Sequence, residues 1–176
     1  MLYTRKGDGG MSGLFGTKER LPKNSPVYDA LGALDELNSL LGFCYAVSRR
    51  EEFAMSLYIA TLVRTIQQRL FIAQAEVAGA KKSITKAQVE ELEDAIDWLE
   101  ERIENPHAFV VPGATELSAL FDYARAVSRR AERAAGARSA VSAETRAYLN
   151  RLSSLLYALA RYAAAGAGVK ESSPAY

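Results

Sequence analysis

The chain has 176 residues, 49% of them hydrophobic, and sets 22 Lys and Arg against 21 Asp and Glu, for a formal net charge of +1 at pH 7. Such a length is most economically one domain with a real core, and so even a charge leaves no overall field to drive non-specific binding to nucleic acid or anionic membranes. The single cysteine, Cys44, excludes an internal disulfide framework and a Cys-rich zinc site, and its apolar helical setting reads as a small core side chain in a reducing compartment.

Residues 1–24 are rich in Gly, Lys and Arg with little periodicity, and read as an irregular loop without an apolar run of signal-peptide type. Five helices are expected after it. The first opens at Ser25 and Pro26, an N-cap and N1 pair, and runs to about Arg49 with Leu31, Leu34, Leu41 and Tyr45 in helical spacing. The second spans about Glu51 to Gly79, with Leu57, Leu62, Ile66, Leu70 and Val77 on its buried side and Gly79 as its stop. The third begins at Thr85, where Thr85 and Gln88 fit a capping box, and ends before Asn105 and Pro106, turning Val89, Leu92, Ile96 and Leu99 inward. An apolar linker from Phe109 to Gly113 leads into the fourth, about Thr115 to Arg138, which buries Leu117, Phe121, Ala124, Val127 and Ala131.

The fifth helix runs from about Ser142 to Ala167. Leu149, Leu152, Leu156, Leu159 and Ala163 form its apolar stripe, while Arg146, Asn150, Ser153 and Tyr157 share another face. No strand pattern is evident anywhere. Long helices, short connections and no internal repeat predict an all-α, single-domain, five-helix antiparallel bundle over residues 25–168. The loop of residues 1–24 precedes it, and a polar tail, residues 169–176, is expected to fray. The longest apolar stretch, Leu155 to Val169, is interrupted by Arg161 and falls short of the roughly 20 residues of a membrane span, so the chain reads as soluble and cytoplasmic.

Between Arg125 and Arg133 the fourth helix packs four arginines and one glutamate into nine residues. At about 100° per residue, Arg125, Arg129 and Glu132 fall in one stripe with Arg133 at its edge, beside the core stripe. Guanidinium forks suit bidentate binding of phosphate or carboxylate, which outlines an anion site. A charged surface helix with Glu132 paired locally accounts for the same residues.

The segment from Lys6 to Gly13 has glycines that let backbone N–H groups approach an anion, and Arg5, Lys18, Arg20 and Lys23 add charge able to follow a polyphosphate. It matches neither the Walker A loop nor the dinucleotide fingerprint, because Ser12 stands where the latter needs Gly and no strand precedes it. A flexible terminus is the alternative. His107 ends a Glu-x-x-His spacing with Glu104, as in di-iron bundles, but there is one copy where two are needed and Pro106 breaks the helix, so a metal role is rejected. Asp35, Asn38 and Gly42 share a face beside the leucine stripe, Gly32 and Gly42 reading as close-packing positions and Asp35 as a polar edge or the partner of a distant arginine. Phe109 reads as core, or as a wall for a planar ligand.

Taken together, Thr4 through Gly16 with Lys23, Asp35 to Ser39, Phe109 ahead of Pro112 and Gly113, Ser128 to Arg133, and Tyr148 to Ser153 resemble the PduO-type cob(I)alamin adenosyltransferases, in family order and over most of the chain. The resemblance implies a homotrimer of five-helix bundles with active sites between subunits. It implies transfer of the 5′-deoxyadenosyl group of ATP to Co(I) of a corrinoid, giving adenosylcobalamin and triphosphate. Thr4, Arg5, Lys6, Gly7, Asp8, Gly9, Gly10, Met11 and Ser12, with Lys23, would wrap the triphosphate. Arg129, Arg130, Glu132, Arg133 and Asn150 would complete the site for ATP and its Mg²⁺, with Glu132 as the candidate metal contact.

By the same resemblance, Asp35 and Arg125 would form a salt bridge across the subunit interface near the corrin. Phe109 would press on the lower corrin face and displace the axial base. Lys6 and the Met11-Ser12 pair depart from the family pattern, which has a small or polar residue and a threonine pair there. Further implied partners are a corrinoid reductase and a cobalamin-dependent acceptor enzyme, with neither nucleic acid nor membrane among them. Co(I) is itself a strong nucleophile, so attack on C5′ requires no protein nucleophile or general base, in keeping with a chain whose one histidine is His107. Two rival readings use the same arginines: a non-catalytic ATP-sensing bundle, and an RNA-binding helical protein, the latter disfavoured because aromatics are not interleaved with the charge.

Overall fold

The computed structural model describes every residue except 1, 15, 105, 107 and 139, and His107 with its rejected metal role therefore lies outside the described residues. A hairpin of β1 (Met11–Gly13) and β2 (Arg20–Pro22) is followed by α1 (Pro26–Ser48), α2 (Ser56–Val77), α3 (Lys86–Glu100), α4 (Glu116–Gly136) and α5 (Ala143–Gly166). Helices α3, α4 and α5 each begin after a residue whose side chain accepts a backbone N–H of the first turn, whereas Ser25 and Met55 make no such bond at α1 and α2. Pro26 opens α1 without an N–H to leave unpaired. The reciprocal Thr85–Gln88 capping box opens α3 as expected, and Thr115 with Ser118 repeats the device at α4. At the end of α2, Gly79 takes φ +96° and the Ala80 amide donates to the Ala75 carbonyl at 2.9 Å, a Schellman stop that a residue with a Cβ would strain.

Three sequence expectations need correction. The irregular loop contains a two-stranded antiparallel ladder pairing Met11 with Pro22 and Gly13 with Arg20; strands of three residues are too short to show alternation. The second helix starts at Ser56, not Glu51, because Met55 adopts φ +72° and breaks the run. Its buried stripe is then Ile59, Val63, Ile66, Leu70 and Ala73, which leaves Leu57 69% exposed. The tail beyond Gly168, expected to be free of the bundle, touches it at two points: the Val111 amide donates to the Ser172 carbonyl at 2.8 Å, and Glu171 pairs with Arg161.

The core runs through all five helices. Packing proceeds across the bundle in the order α2, α1, α4, α5, α3, with the short hairpin set against the α1 and α2 side through Leu14. On α4 and α5 the expected stripes are all buried, from Leu117 to Ala131 and from Leu149 to Ala163. No helix among the described residues is long and apolar enough to cross a membrane. Cys44 is fully buried, and burial pushes its thiol up to about 12. The native protein should therefore resist an aromatic disulfide reagent at about pH 8, with one thiol titrating only after denaturant is added; rapid reaction of the folded chain would show that α1 opens locally.

Candidate active site

Helices α4 and α5 pair residue by residue along one groove. The Arg161 guanidinium contacts Asp122 at 2.6 Å; Arg125 and Tyr157 share two clefts; Arg129 lines the second with Ser153 and Ser154; the Asn150 amide donates to Glu132 at 2.7 Å. As the α4 numbers rise the α5 numbers fall, so these helices are antiparallel. From Asp122 to Glu132 the rise along α4 is about 15 Å. This track joins an apolar end to a polar end.

At the apolar end is a cleft of about 630 Å³, walled by Phe109, Val110 and Pro112 of the linker, Asp122 and Arg125 of α4, Tyr157 and Arg161 of α5, and Pro174 and Tyr176 of the tail. Phe109 is 77% exposed, so its packing in this chain is slight and the expectation of core burial is not met. The second cleft, about 430 Å³, is lined by Arg125, Arg129, Ser153, Ser154 and Tyr157, with Glu100 and Ile103 at its α3 side. Among the described residues neither Arg125 nor Arg129 has an ion-pair partner, and the Arg125 Nε is buried without a hydrogen bond. Two guanidinium groups converging on a cleft without a paired carboxylate leave their donors available to an anion.

The remaining sequence-derived residues lie elsewhere. Arg130 turns to α1 and pairs with Glu36, which sets it apart from Arg125 and Arg129; one residue along a helix is a rotation of about 100°. Arg133 is exposed at the polar end. Asp35 is exposed on α1, beside Gly32 and Gln74, with no ion-pair partner among the described residues. In the N-terminal segment, Lys23 lies against Gly7: a Cβ there would come within 3.0 Å of its Nζ. The Lys23 amide donates to the Gly10 carbonyl at 2.9 Å, and Arg20 donates to the carbonyls of Lys6 and Met11, closing the loop that carries Thr4, Arg5, Asp8, Gly9 and Ser12. None of these residues lines either cleft.

Residues 2–163 match the model of a family described as cobalamin adenosyltransferase. The chain belongs to that family. It is 38% identical over 171 residues to the corrinoid adenosyltransferase PduO of Salmonella typhimurium, covering 91% of this chain and 48% of that protein, so it spans about half the length of that relative. A corrinoid adenosyltransferase of Citrobacter freundii is 37% identical over 170 residues, covering 91% of this chain and 93% of its own. Among solved structures, a variant PduO-type ATP:corrinoid adenosyltransferase from Lactobacillus reuteri complexed with cobalamin and ATP superposes with a TM-score of 0.89 at 28% identity, covering 99% of this chain and 96% of that one.

Within this member of the family, sequence reasoning missed the pair at the apolar end. Asp122 and Arg161 are 6% and 3% exposed at their side chains, and Arg161 also meets Glu171 at 2.8 Å and lies 4.8 Å from the Tyr157 ring. Burial alone would lower the Arg161 guanidinium, but Asp122 and Glu171 outweigh it and hold it above its ordinary value. Burial likewise raises the Glu171 carboxyl, with Arg161 opposing. The available signal was a lone arginine inside the apolar run of α5, a place where a charge survives only if paired.

Proposed function

We propose that the chain transfers the 5′-deoxyadenosyl group of ATP to Co(I) of a corrinoid, releasing triphosphate. The observation that carries this reading is the single track along α4 and α5, with a phenylalanine-walled apolar cleft at one end and two unpaired arginines next to it. A planar apolar macrocycle suits the first and a polyphosphate the second. Co(I) supplies the electron pair that forms the Co–C5′ bond while the C5′–O bond breaks and its pair leaves with triphosphate, cobalt ending formally as Co(III). The protein then needs to align cobalt with C5′ and the leaving oxygen, and to stabilise charge growing on that oxygen. Arg129 serves the latter, assisted by Arg133, with Asn150 and Glu132 at the nucleotide end. Phe109 covers the lower corrin face and removes the axial base without offering a new ligand, which eases reduction of Co(II) to Co(I).

The groups present fit Mg²⁺ carried on ATP. No cluster of three or more His, Cys, Asp or Glu suited to a metal occurs among the described residues, and Mg²⁺ is commonly held by one or two carboxylates plus substrate phosphates. Glu132, oriented by Asn150, is that carboxylate. When bound, the ion neutralises phosphate charge.

The N-terminal loop lies away from the arginine track of its own chain, which supports sites shared between subunits of a homotrimer, the Lys23 loop of one meeting the Arg129 face of the next. Asp35 on α1 and the unpartnered Arg125 are the corresponding ion pair. Mixing tests this: in co-assembled Lys23→Ala and Arg129→Ala subunits about a quarter of random interfaces reunite two intact halves, so turnover should recover to roughly that share. Absence of recovery would place both groups in one subunit. The function itself is tested by anaerobic assay with chemically reduced cob(I)alamin and MgATP. Light-sensitive adenosylcobalamin with triphosphate is expected; no product with ATP binding intact would favour a nucleotide-sensing bundle. A corrinoid reductase, a cobalamin-dependent acceptor enzyme and a cytoplasmic setting complete the reading.

A further inference from the structure

The C-terminal tail makes two contacts whose combination reaches beyond packing. The Schellman turn at Gly168, with φ +68° and the Val169 amide donating to the Ala164 carbonyl at 3.0 Å, ends α5 and redirects the chain. Three residues later Glu171 contacts the Nε of Arg161 at 2.8 Å, and in the next residue the Ser172 carbonyl takes the Val111 amide at 2.8 Å. Val111 is two residues from Phe109. The segment from Ala108 to Pro112 has no helix or strand of its own to fix it, so this bond to the tail is its backbone anchor among the described contacts.

Arg161 is itself buried and doubly paired. It is buried at 3% exposure, held by Asp122 on α4 and stacked near Tyr157. A charged group so placed is fixed by its partners, because leaving either member unpaired in a dry site is strongly unfavourable. The chain of contacts therefore runs from the rigid α4–α5 core through Arg161 to Glu171, through Ser172 to Val111, and so to the aromatic ring at the mouth of the apolar cleft.

We infer that Arg161 and Glu171 are positioning residues that hold Phe109 in place by tying the tail to the Phe109 segment. The inference rests on the reading of Phe109 as the wedge under the corrin. Glu171 does not line the cleft and Arg161 forms part of its wall; both act on Phe109 through Ser172 and Val111. Arginine suits the task, since its fork reaches Asp122 and Glu171 with different nitrogens at once, which a lysine cannot do with the same geometry.

Arg161→Ala would strand Asp122 and is a poor probe, so the test is Glu171→Ala, which cuts the tail link and leaves the Asp122–Arg161 pair intact. The full-length variant is loaded with Co(II) corrinoid and MgATP, and the four-coordinate Co(II) absorbance signature is measured beside Phe109→Ala and wild type. A drop of about tenfold in the four-coordinate fraction and a similar rise in corrinoid KM are expected, with ATP KM unchanged. Glu171→Gln, which keeps a hydrogen-bonding group there, should recover part of the signal. As an independent check, a disulfide between Val111→Cys and Ser172→Cys in the Glu171→Ala background should restore the signature when oxidised and lose it when reduced. If Phe109→Ala abolishes the signature while Glu171→Ala leaves it whole, the positioning role is wrong and the wedge stands. If both variants keep it, the wedge and the positioning role fall together.

Discussion

Arg129→Ala is expected to lower kcat by on the order of 10²–10³ while leaving fold and assembly unchanged. The side chain is exposed and has no ion-pair partner among the described residues, so the substitution breaks no ion pair. Alanine is also at least as good a helix former as arginine, and the α4 backbone gains or is neutral. On the proposed role the full loss then belongs to the leaving group: without the Arg129 guanidinium beside the triphosphate oxygen, charge built in the transition state would go unanswered in a partly desolvated cleft. Arg129→Lys keeps one positive charge but not the fork, and should fall between the two. Steady-state rates with saturating MgATP and pre-reduced corrinoid, alongside thermal melts, decide the matter. Wild-type kinetics in Arg129→Ala would remove the phosphate role from this residue and leave Arg133 or the N-terminal loop to carry it.

Most of the fold could be read from residue order, because its information is local. The Thr85 and Ser142 caps, the Gly79 and Gly168 stops, and the apolar spacing on α4 and α5 each act within a turn or two of the chain. Leu57 misled because it lies nine residues before Ile66, about half a turn away at about 100° per residue, and so never shared the face of Ile66, Leu70 and Val77. The hairpin escaped notice because strands of three residues show no alternation, and the Arg20 side chain that reaches back to the carbonyls of Lys6 and Met11 leaves no periodic pattern.

The site was legible in part. Arg125, Arg129 and Glu132 share a helix face, and helical geometry alone places them together. Arg130 is adjacent in sequence yet faces α1, where Glu36 holds it, and periodicity should have separated it from its neighbours. The tail was illegible because its order comes entirely from distant partners. Glu171 is fixed by Arg161 and Ser172 by Val111, the latter 61 positions away, and neither pairing leaves a periodic trace. Non-local contacts between a polar tail and an apolar linker are the kind of information one-dimensional patterns do not hold.

Phe109→Ala should separate the two redox stages of the reaction. With the ring 77% exposed in the isolated chain, its removal leaves almost no cavity, and a stability change within about 0.5 kcal/mol is expected. ATP affinity should likewise hold, because the arginines lie in the neighbouring cleft. The corrin end is different. In the proposed role the Phe109 ring would lie under the macrocycle and exclude water and the axial base; without it Co(II) would stay five-coordinate, so the four-coordinate absorbance signature should vanish. Turnover starting from Co(II) and a reductant should then fall by on the order of 10²-fold or more, since the substrate never becomes easy to reduce. Turnover starting from chemically reduced Co(I) bypasses that step and should fall only by about tenfold, the cost of losing one aromatic wall from the binding cleft. The ratio of these losses is the informative quantity. A large ratio ties Phe109 to axial-ligand removal; equal losses from both starting states would make it an ordinary binding contact.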